Sequence, residues 1–106
     1  MAALLAGKSA AITGGVTGIG RAIALEYLRH GAAVTVNHIG DSRSMEDFAS
    51  LRDEAPKNAK LTHLGGDIGL KITGQELVDT AVWNGGGALD VFVANAGVSQ
   101  FRDFPS

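Results

Sequence analysis

A chain of 106 residues, 45% of them hydrophobic, has room for one domain around one modest core and none for a separate substrate domain; self-association would help to stabilise it. Nine basic against eleven acidic residues leave a net charge of −2, which provides no electrostatic footprint for nucleic acid or an anionic membrane. Cysteine is absent, excluding disulfides, thiolate catalysis and cysteine-based metal sites, and the apolar start MAALLA is too short for a secretory or membrane-spanning segment. The expectation is a soluble cytoplasmic protein.

KSAAIT (residues 8–13) is short, apolar and followed by glycines, as a strand buried in a parallel sheet would be. The period then changes. From residue 18 to 30, Ile19, Ala22, Ile23 and Tyr27 recur at three- and four-residue spacing, which predicts a helix packed through those side chains, with Gly31 as its C-cap glycine. AAVTVNH (32–38) is rich in β-branched residues and predicts a second strand. SMEDFASLRDEA (44–55) opens with Ser44 three residues before Asp47, a capping-box spacing, and places Met45, Phe48 and Ala49 on one face before Pro56 stops the helix.

KLTHLGGDI (60–68) predicts a third strand ending at Gly65-Gly66. TGQELVDTAVW (73–83) repeats the capping pattern with Thr73 and Glu76, and Leu77, Val78, Ala81 and Val82 form its buried stripe. ALDVFVANAG (88–97) is the fourth strand, with Trp83 and Phe92 expected in the core. The order β-α-β-α-β-α-β implies an α/β fold: a parallel sheet, doubly wound, with helices on both faces.

The segment TGGVTGIG (13–20) leaves a predicted strand and opens a predicted helix, and its glycines are spaced Gly14-x-x-x-Gly18-x-Gly20. Gly14 can take a positive φ at the strand exit, Gly18 lets backbone approach a pyrophosphate, and Gly20 lets the helix sit tightly on the strand. Thr17, Gly18, Ile19 and Gly20 thereby bring free amides and the positive end of the helix dipole to an anion. The plainer alternative is a loop that only turns the chain. GKS at residues 7–9 looks like the tail of a P-loop, but Ala2 stands where that motif needs glycine, and a strand follows where it needs a helix.

TGGVTGIG, GDI (66–68) and NAG (95–97), in this order and separation, resemble the N-terminal half of the short-chain dehydrogenase/reductase family. The resemblance spans nearly the whole chain. Within the family, AITGGVTGIGRAIA, VTVNH, GDI, ITGQELVDTAV and LDVFVANAGVSQFRDF look most like fungal sugar dehydrogenases of the L-rhamnose 1-dehydrogenase type. The resemblance implies an incomplete Rossmann-type domain over residues 1–106, stopping before the catalytic half. It implies an NAD(P) cofactor as partner, with a sugar or alcohol as substrate of the intact enzyme only.

At the end of the second strand, where an acidic residue would select NAD by accepting the ribose 2′-hydroxyl, the chain has Asn37-His38. With His38, Ser42 and Arg43 near to donate to a 2′-phosphate, NADP is expected, with NAD possible; Asp41 argues mildly the other way, and solvated loop residues are the plain alternative. By resemblance Asp67 and Ile68 border the adenine, Asp67 being otherwise a turn aspartate. Asn95, Ala96 and Gly97 match the family's Asn-Asn-Ala-Gly segment, in which the second asparagine stabilises the central strand and the glycine lies along the cofactor; Ala94 replaces the first asparagine. His30 and His63 lack a second ligand at metal spacing, so no metal site is expected.

The family's acid/base chemistry rests on a Tyr-x-x-x-Lys pair with a serine upstream. The one tyrosine here, Tyr27, is followed four places later by Gly31, so no catalytic residue is assigned. Two readings follow: the cofactor-binding part of a hydride-transferring oxidoreductase, or a catalytically silent nucleotide-binding or interaction module. An uncovered sheet edge, open to pairing with a second copy, points to a homo-oligomer in either case.

Overall fold

A parallel strand cannot return by a hairpin, so each strand must be followed by a crossover that covers one face of the sheet. The computed structural model, which describes residues 4–95, is built this way throughout. Its elements are β1 (Ser9–Thr13), α1 (Gly18–Arg29), β2 (Ala33–His38), α2 (Ser42–Glu54), β3 (Leu61–Gly65), α3 (Lys71–Asn84) and β4 (Val91–Val93). The sheet order is β3-β2-β1-β4, and every pairing is parallel: Ser9 to Thr13 lie opposite Ala33 to Asn37, and Ala10 to Ile12 opposite Val91 to Val93. The chain runs outward from β1 through β2 to β3, then crosses back to place β4 on the other side of β1. The direction of winding reverses at β1, where doubly wound sheets open a crevice at their carboxyl edge.

The two faces carry separate cores. Ile12, Val34 and Val36 project to one side, where Ala24, Leu25, Leu28, Phe48 and Leu51 of α1 and α2 pack on them. Ala11 projects to the other, against Leu77 and Ala81 of α3. With both faces covered, every residue of β1 and β2 is buried, which is why these strands read as continuous apolar runs rather than alternating ones.

The helices lie where the periodicity predicts, but three of their details differ. The buried line of α1 is Gly20, Ala24, Leu25 and Leu28; Ile19 is 69% exposed, Ala22 is exposed, and Ile23 and Tyr27 only flank the core. The small residues at 20 and 24 let this face approach the sheet, while the larger apolar side chains sit beside the contact. The N-cap of α2 is Asp41, whose Oδ1 accepts from the Ser44 amide at 2.8 Å, so Ser44 is an interior first-turn residue, and Met45 faces outward while Phe48 and Leu51 face in. An aspartate three residues before a serine forms this cap as readily as the reverse order, and the positive φ of Gly40 directs the chain into it.

Helix α3 starts at Lys71 with no side-chain cap, and buries Thr73, Leu77 and Ala81, one residue in four, leaving Val78 and Val82 half-buried. Thr73 is therefore packing, not cap. Trp83 lies off this line and is 85% exposed; Phe92, in register with Ala11, is 45% exposed because α3 covers β1, β2 and β3. Neither aromatic is a core residue among the described part of the chain. No helix among the described residues is long and apolar enough to cross a membrane.

Thr35 in β2 is fully buried, and its hydroxyl has no hydrogen-bond partner among the described residues. Desolvating a hydroxyl without compensation costs about 1–3 kcal/mol. Thr35→Val, nearly the same shape, is expected to raise the urea midpoint at unchanged m-value, by a gain of about 1 kcal/mol; a lowered midpoint would contradict the accounting.

Candidate functional site

The carboxyl ends of all the strands meet at one edge of the sheet, and the glycine turn lies at their centre. Gly14 has φ +62° and Gly18 φ +56°, a conformation that side-chain-bearing residues rarely adopt. A Cβ on Gly18 would meet nothing within 4 Å, so its backbone faces open space. At Gly20 the opposite holds: a Cβ would lie 2.2 Å from the Gly14 carbonyl oxygen and 2.7 Å from Asn95 Nδ2. The helix thus rests directly on the turn, as the spacing predicts for that glycine.

Two further bonds fix the turn. Asn95, just beyond β4, donates through Nδ2 to the Gly14 carbonyl at 3.2 Å, and the Gly15 amide donates to Asn37 O at 3.2 Å. Thr17 occupies the N-cap position of α1 with extended backbone and no side-chain cap bond, and the first turn contains no acidic residue. The amides that open α1 therefore have no intrahelical acceptor, which is the condition for binding an anion there. Arg21 anchors the turn from behind: its guanidinium donates to the carbonyl of Asp47 at 3.2 Å and to Ser50 Oγ at 3.1 Å, and pairs with Glu54, bolting α1 to α2.

Beside the turn, a cleft of about 250 Å³ is lined by Gly14, Val16, Thr17, Asn37, His38, Ile39, Ser44, Asp47, Gly66, Asp67 and Ile68. Of the residues singled out in the sequence, Gly14, Thr17, Asn37, His38, Asp67 and Ile68 come together here; Gly18, Ile19 and Gly20 adjoin it at the start of α1. Ala96 and Gly97 lie outside the described residues. Arg43 is exposed on the first turn of α2 and does not line the cleft. Ser44 and Asp47, which do, were legible only as a capping pattern; their spacing of three on a helix that starts beside the β2 exit is the signal that turns both toward it.

Several side chains are engaged in ways the sequence does not reveal. The Asn37 amide group donates to Leu64 O at 3.2 Å and Gly66 O at 3.1 Å, tying the exits of β2 and β3 together. His38 is 4% exposed, and both its ring nitrogens have partners: Nδ1 accepts from the Gly40 amide at 3.0 Å, and Nε2 lies 2.8 Å from His63 Nδ1. The single neutral-state proton of His38 is thus directed at His63, so donation to a 2′-phosphate requires that bond to open. His63, which lacks a second ligand at metal spacing, is a satisfied histidine, bonded to His38 and stacked on Phe48. Asp67 accepts from the Gly69 amide through Oδ1 at 2.8 Å, so it shapes its turn while also lining the cleft.

A larger cleft, about 300 Å³, opens beside Lys8, Arg29 and Lys60. It lies toward the amino ends of β1, β2 and β3, lined by Gly31 and Gly85 at the carboxyl ends of α1 and α3 rather than by a helix start. Among the described residues no three of His, Cys, Asp or Glu group closely enough to hold a metal ion.

The contact at Gly20 is testable against a glycine with room to spare. Gly20→Ala must displace backbone and is expected to lower stability by about 1–3 kcal/mol. Gly74→Ala, within α3 where a Cβ meets nothing within 4 Å, is expected to raise it by about 0.5–1 kcal/mol. Equal effects on the thermal midpoint would refute the close approach.

Residues 8–106 match the family model described as short chain dehydrogenase. The chain is 49% identical over 106 residues to the L-rhamnose-1-dehydrogenase of Scheffersomyces stipitis, covering 98% of this chain and 40% of that protein. It is 37% identical over 102 residues to the L-rhamnose 1-dehydrogenase (NAD(P)(+)) of Azotobacter vinelandii, covering 95% and 40% respectively. The apo-form crystal structure of a glucose dehydrogenase from Caenorhabditis elegans superposes with a TM-score of 0.73 at 25% identity, over 93% of this chain and 42% of that one. The chain therefore spans about two-fifths of the length of these relatives. A helix seated on its strand through Gly20, a turn closed by Asn95 and a family match over almost every residue together make this chain a member of the short-chain dehydrogenase family.

Proposed function

We propose that the chain is the dinucleotide-binding domain of an NAD(P)-linked sugar or alcohol dehydrogenase, with NADP accepted alongside NAD. The observation that carries this reading is the start of α1, where Gly18 presents bare backbone to open space and neither a cap nor an acidic side chain competes for the amides. The diphosphate of the cofactor rests on the amides of Gly18, Ile19 and Gly20 in this reading, with the helix dipole adding to the attraction. Its adenosine occupies the adjoining cleft between Asn37 and His38 on one side and Asp67 and Ile68 on the other, and the exposed Ile19 side chain is covered when the cofactor binds.

Bound there, the dinucleotide supplies a nicotinamide ring that exchanges hydride with a substrate carbon. The chain's own residues bind and orient it, with Asn95 and Arg21 holding the turn. Residues 37 and 38 bring no carboxylate to the second strand's exit, which supports acceptance of a 2′-phosphate, although Asp47 in the cleft limits the preference. Arg43, from the first turn of α2, is the cation left to approach that phosphate once His38 is engaged with His63.

Likeness to two L-rhamnose dehydrogenases and a glucose dehydrogenase supports an aldose, oxidised at C1, as the substrate of the whole protein. The serine and Tyr-x-x-x-Lys of the family belong, in this reading, to the part of the relatives that these residues do not span. Self-association of the whole protein belongs to the same reading.

Calorimetric titration of the 106-residue chain with NADP and with NAD is expected to show saturable binding of both, within about tenfold of each other. Gly18→Val is expected to weaken both by about tenfold or more, by putting a side chain on the diphosphate path at a positive φ. Unchanged affinity in that variant would overturn the site. L-rhamnose-dependent reduction of NADP is expected only from a longer chain carrying the serine and the Tyr-x-x-x-Lys pair; turnover by these 106 residues would overturn the assignment of chemistry elsewhere.

A further inference from the structure

His38 and His63 stand side by side on β2 and β3, in a small aromatic stack that continues into α2. The rings of the two histidines lie 5.1 Å apart and near-parallel, and His63 stacks on Phe48 at 4.1 Å. Arg52 lies over the outer side of Phe48, 5.7 Å from its centroid. Gly65, next but one to His63, has no side chain, and a Cβ there would meet Gly40 Cα at 3.1 Å and His38 Cε1 at 3.3 Å. The turn after β2 is thus pressed against the β3 exit, with the His38 ring between them.

The hydrogen bonds around these rings admit one arrangement of protons. The Gly40 amide can only donate, so Nδ1 of His38 must be bare and the neutral ring carries its proton on Nε2. That proton goes to Nδ1 of His63, 2.8 Å away, which must be bare in turn. A further proton on either inward-facing nitrogen sets one N–H against another, and the bond to Gly40 is the one that can open toward solvent.

We propose that His63, which does not line the cleft, is a positioning residue for the adenosine end of the dinucleotide site: by holding the His38 tautomer whose Nδ1 anchors Gly40, it sets the turn that carries Ile39 and Asp41 into the start of α2. This role rests on the dinucleotide reading given above. Gly40 has φ +91°, and the residue after it caps α2 through the Ser44 amide, so the orientation of the first turn of α2, with Ser44 and Asp47 on the cleft wall, follows from this anchor.

The electrostatics agree with a neutral, uncharged pair. Burial, and secondarily the neighbouring His63, hold His38 below the ordinary imidazole value of 6.5, against a smaller upward pull from Asp41. Burial and then the Arg52 guanidinium hold His63 below it as well. The charged groups facing the pair are Asp41 from the turn and Arg52 from α2. Because both folded-state values lie below the unfolded one, the unfolded chain binds more protons in the interval between them. The stabilisation that the neutral pair gives the turn is full above 6.5, declines below it and is lost as pH falls through the depressed folded values.

The test uses the ¹⁵N-labelled 106-residue chain, without nucleotide first. Imidazole ¹⁵N shifts at about pH 8 are expected to show His38 as the Nε2–H tautomer; the Nδ1–H tautomer would overturn the proposal with no variant needed. Gly40 amide exchange, corrected for its intrinsic pH dependence, is expected to lose about tenfold of its protection between about pH 8 and pH 5. His63→Phe keeps a ring on Phe48 but removes the acceptor, and is expected to lose that protection already at the higher pH and to weaken NADP and NAD binding about threefold or more. His63→Gln, whose Oε1 can accept from His38 Nε2, is expected to restore both. His63→Phe with unchanged Gly40 exchange and unchanged pH profile, or His63→Gln without rescue, would overturn the role of His63. A parent chain that binds neither dinucleotide overturns the site reading and with it this role, and is told apart because tautomer and exchange are read with no nucleotide present.

Discussion

The contact on which the site depends is that of Gly20 with the carbonyl of Gly14. A methyl group at position 20 would sit 2.2 Å from that oxygen, so the helix can occupy its place only with hydrogen there. Its consequence reaches in two directions. Toward the core, it lets α1 come down on the sheet along Gly20, Ala24 and Leu28, sealing Ile12, Val34 and Val36 from water. Toward the edge, it holds the first turn of α1 beside the strand exits with its amides directed outward. One steric condition therefore serves both stability and the capacity to hold an anion.

That contact would leave the turn free to move if the surrounding strands did not hold it. The Gly14 carbonyl, pinned beneath Gly20, also accepts from Asn95 beyond β4, while Gly15 donates to Asn37 near the end of β2. These two strands flank β1 on opposite sides. The turn is thus tied to the sheet on both sides of the winding reversal, and Arg21 ties its helix to α2. An anion site made from backbone amides gains from such fixing, because donors already in place pay no ordering cost when the ligand arrives.

Much of this was readable from the sequence because it depends on local rules. Strand and helix order follow from hydrophobic period, and the roles of Gly14 and Gly20 follow from spacing and flanks; the positive φ at 14 and the close contact at 20 bear them out. Details that depend on which of two similar patterns wins were less legible. Asp41-x-x-Ser44 and Ser44-x-x-Asp47 are both plausible caps, and the backbone of Gly40 decides between them. For α1, three- and four-residue spacing marks a face through Ile19, Ala22, Ile23 and Tyr27 as readily as one through Gly20, Ala24 and Leu28. A rule that weighs size favours the first, whereas close packing on a sheet favours the second. Trp83 lies outside the core for a related reason: hydrophobicity indicates what a side chain would gain by burial, not whether the fold offers it a surface.

The His38–His63 bond could not have been found this way, because it depends on strand register. In the β2–β3 ladder His63 lies opposite Val36, two residues before His38, so the two rings meet diagonally across neighbouring strands. Twenty-five residues separate them in sequence. Reading histidines by their sequence neighbours treats His38 as a loop donor and leaves His63 either a surface or a satisfied residue, with no partner named. Register changes what each can do: a ring that might have reached out to a phosphate instead turns inward and organises the backbone at the edge of the cleft. In the positioning role proposed for His63, the shape of this end of the site rests on the turn that the His38 tautomer supports as well as on the side chain at position 38, a property of two strands together.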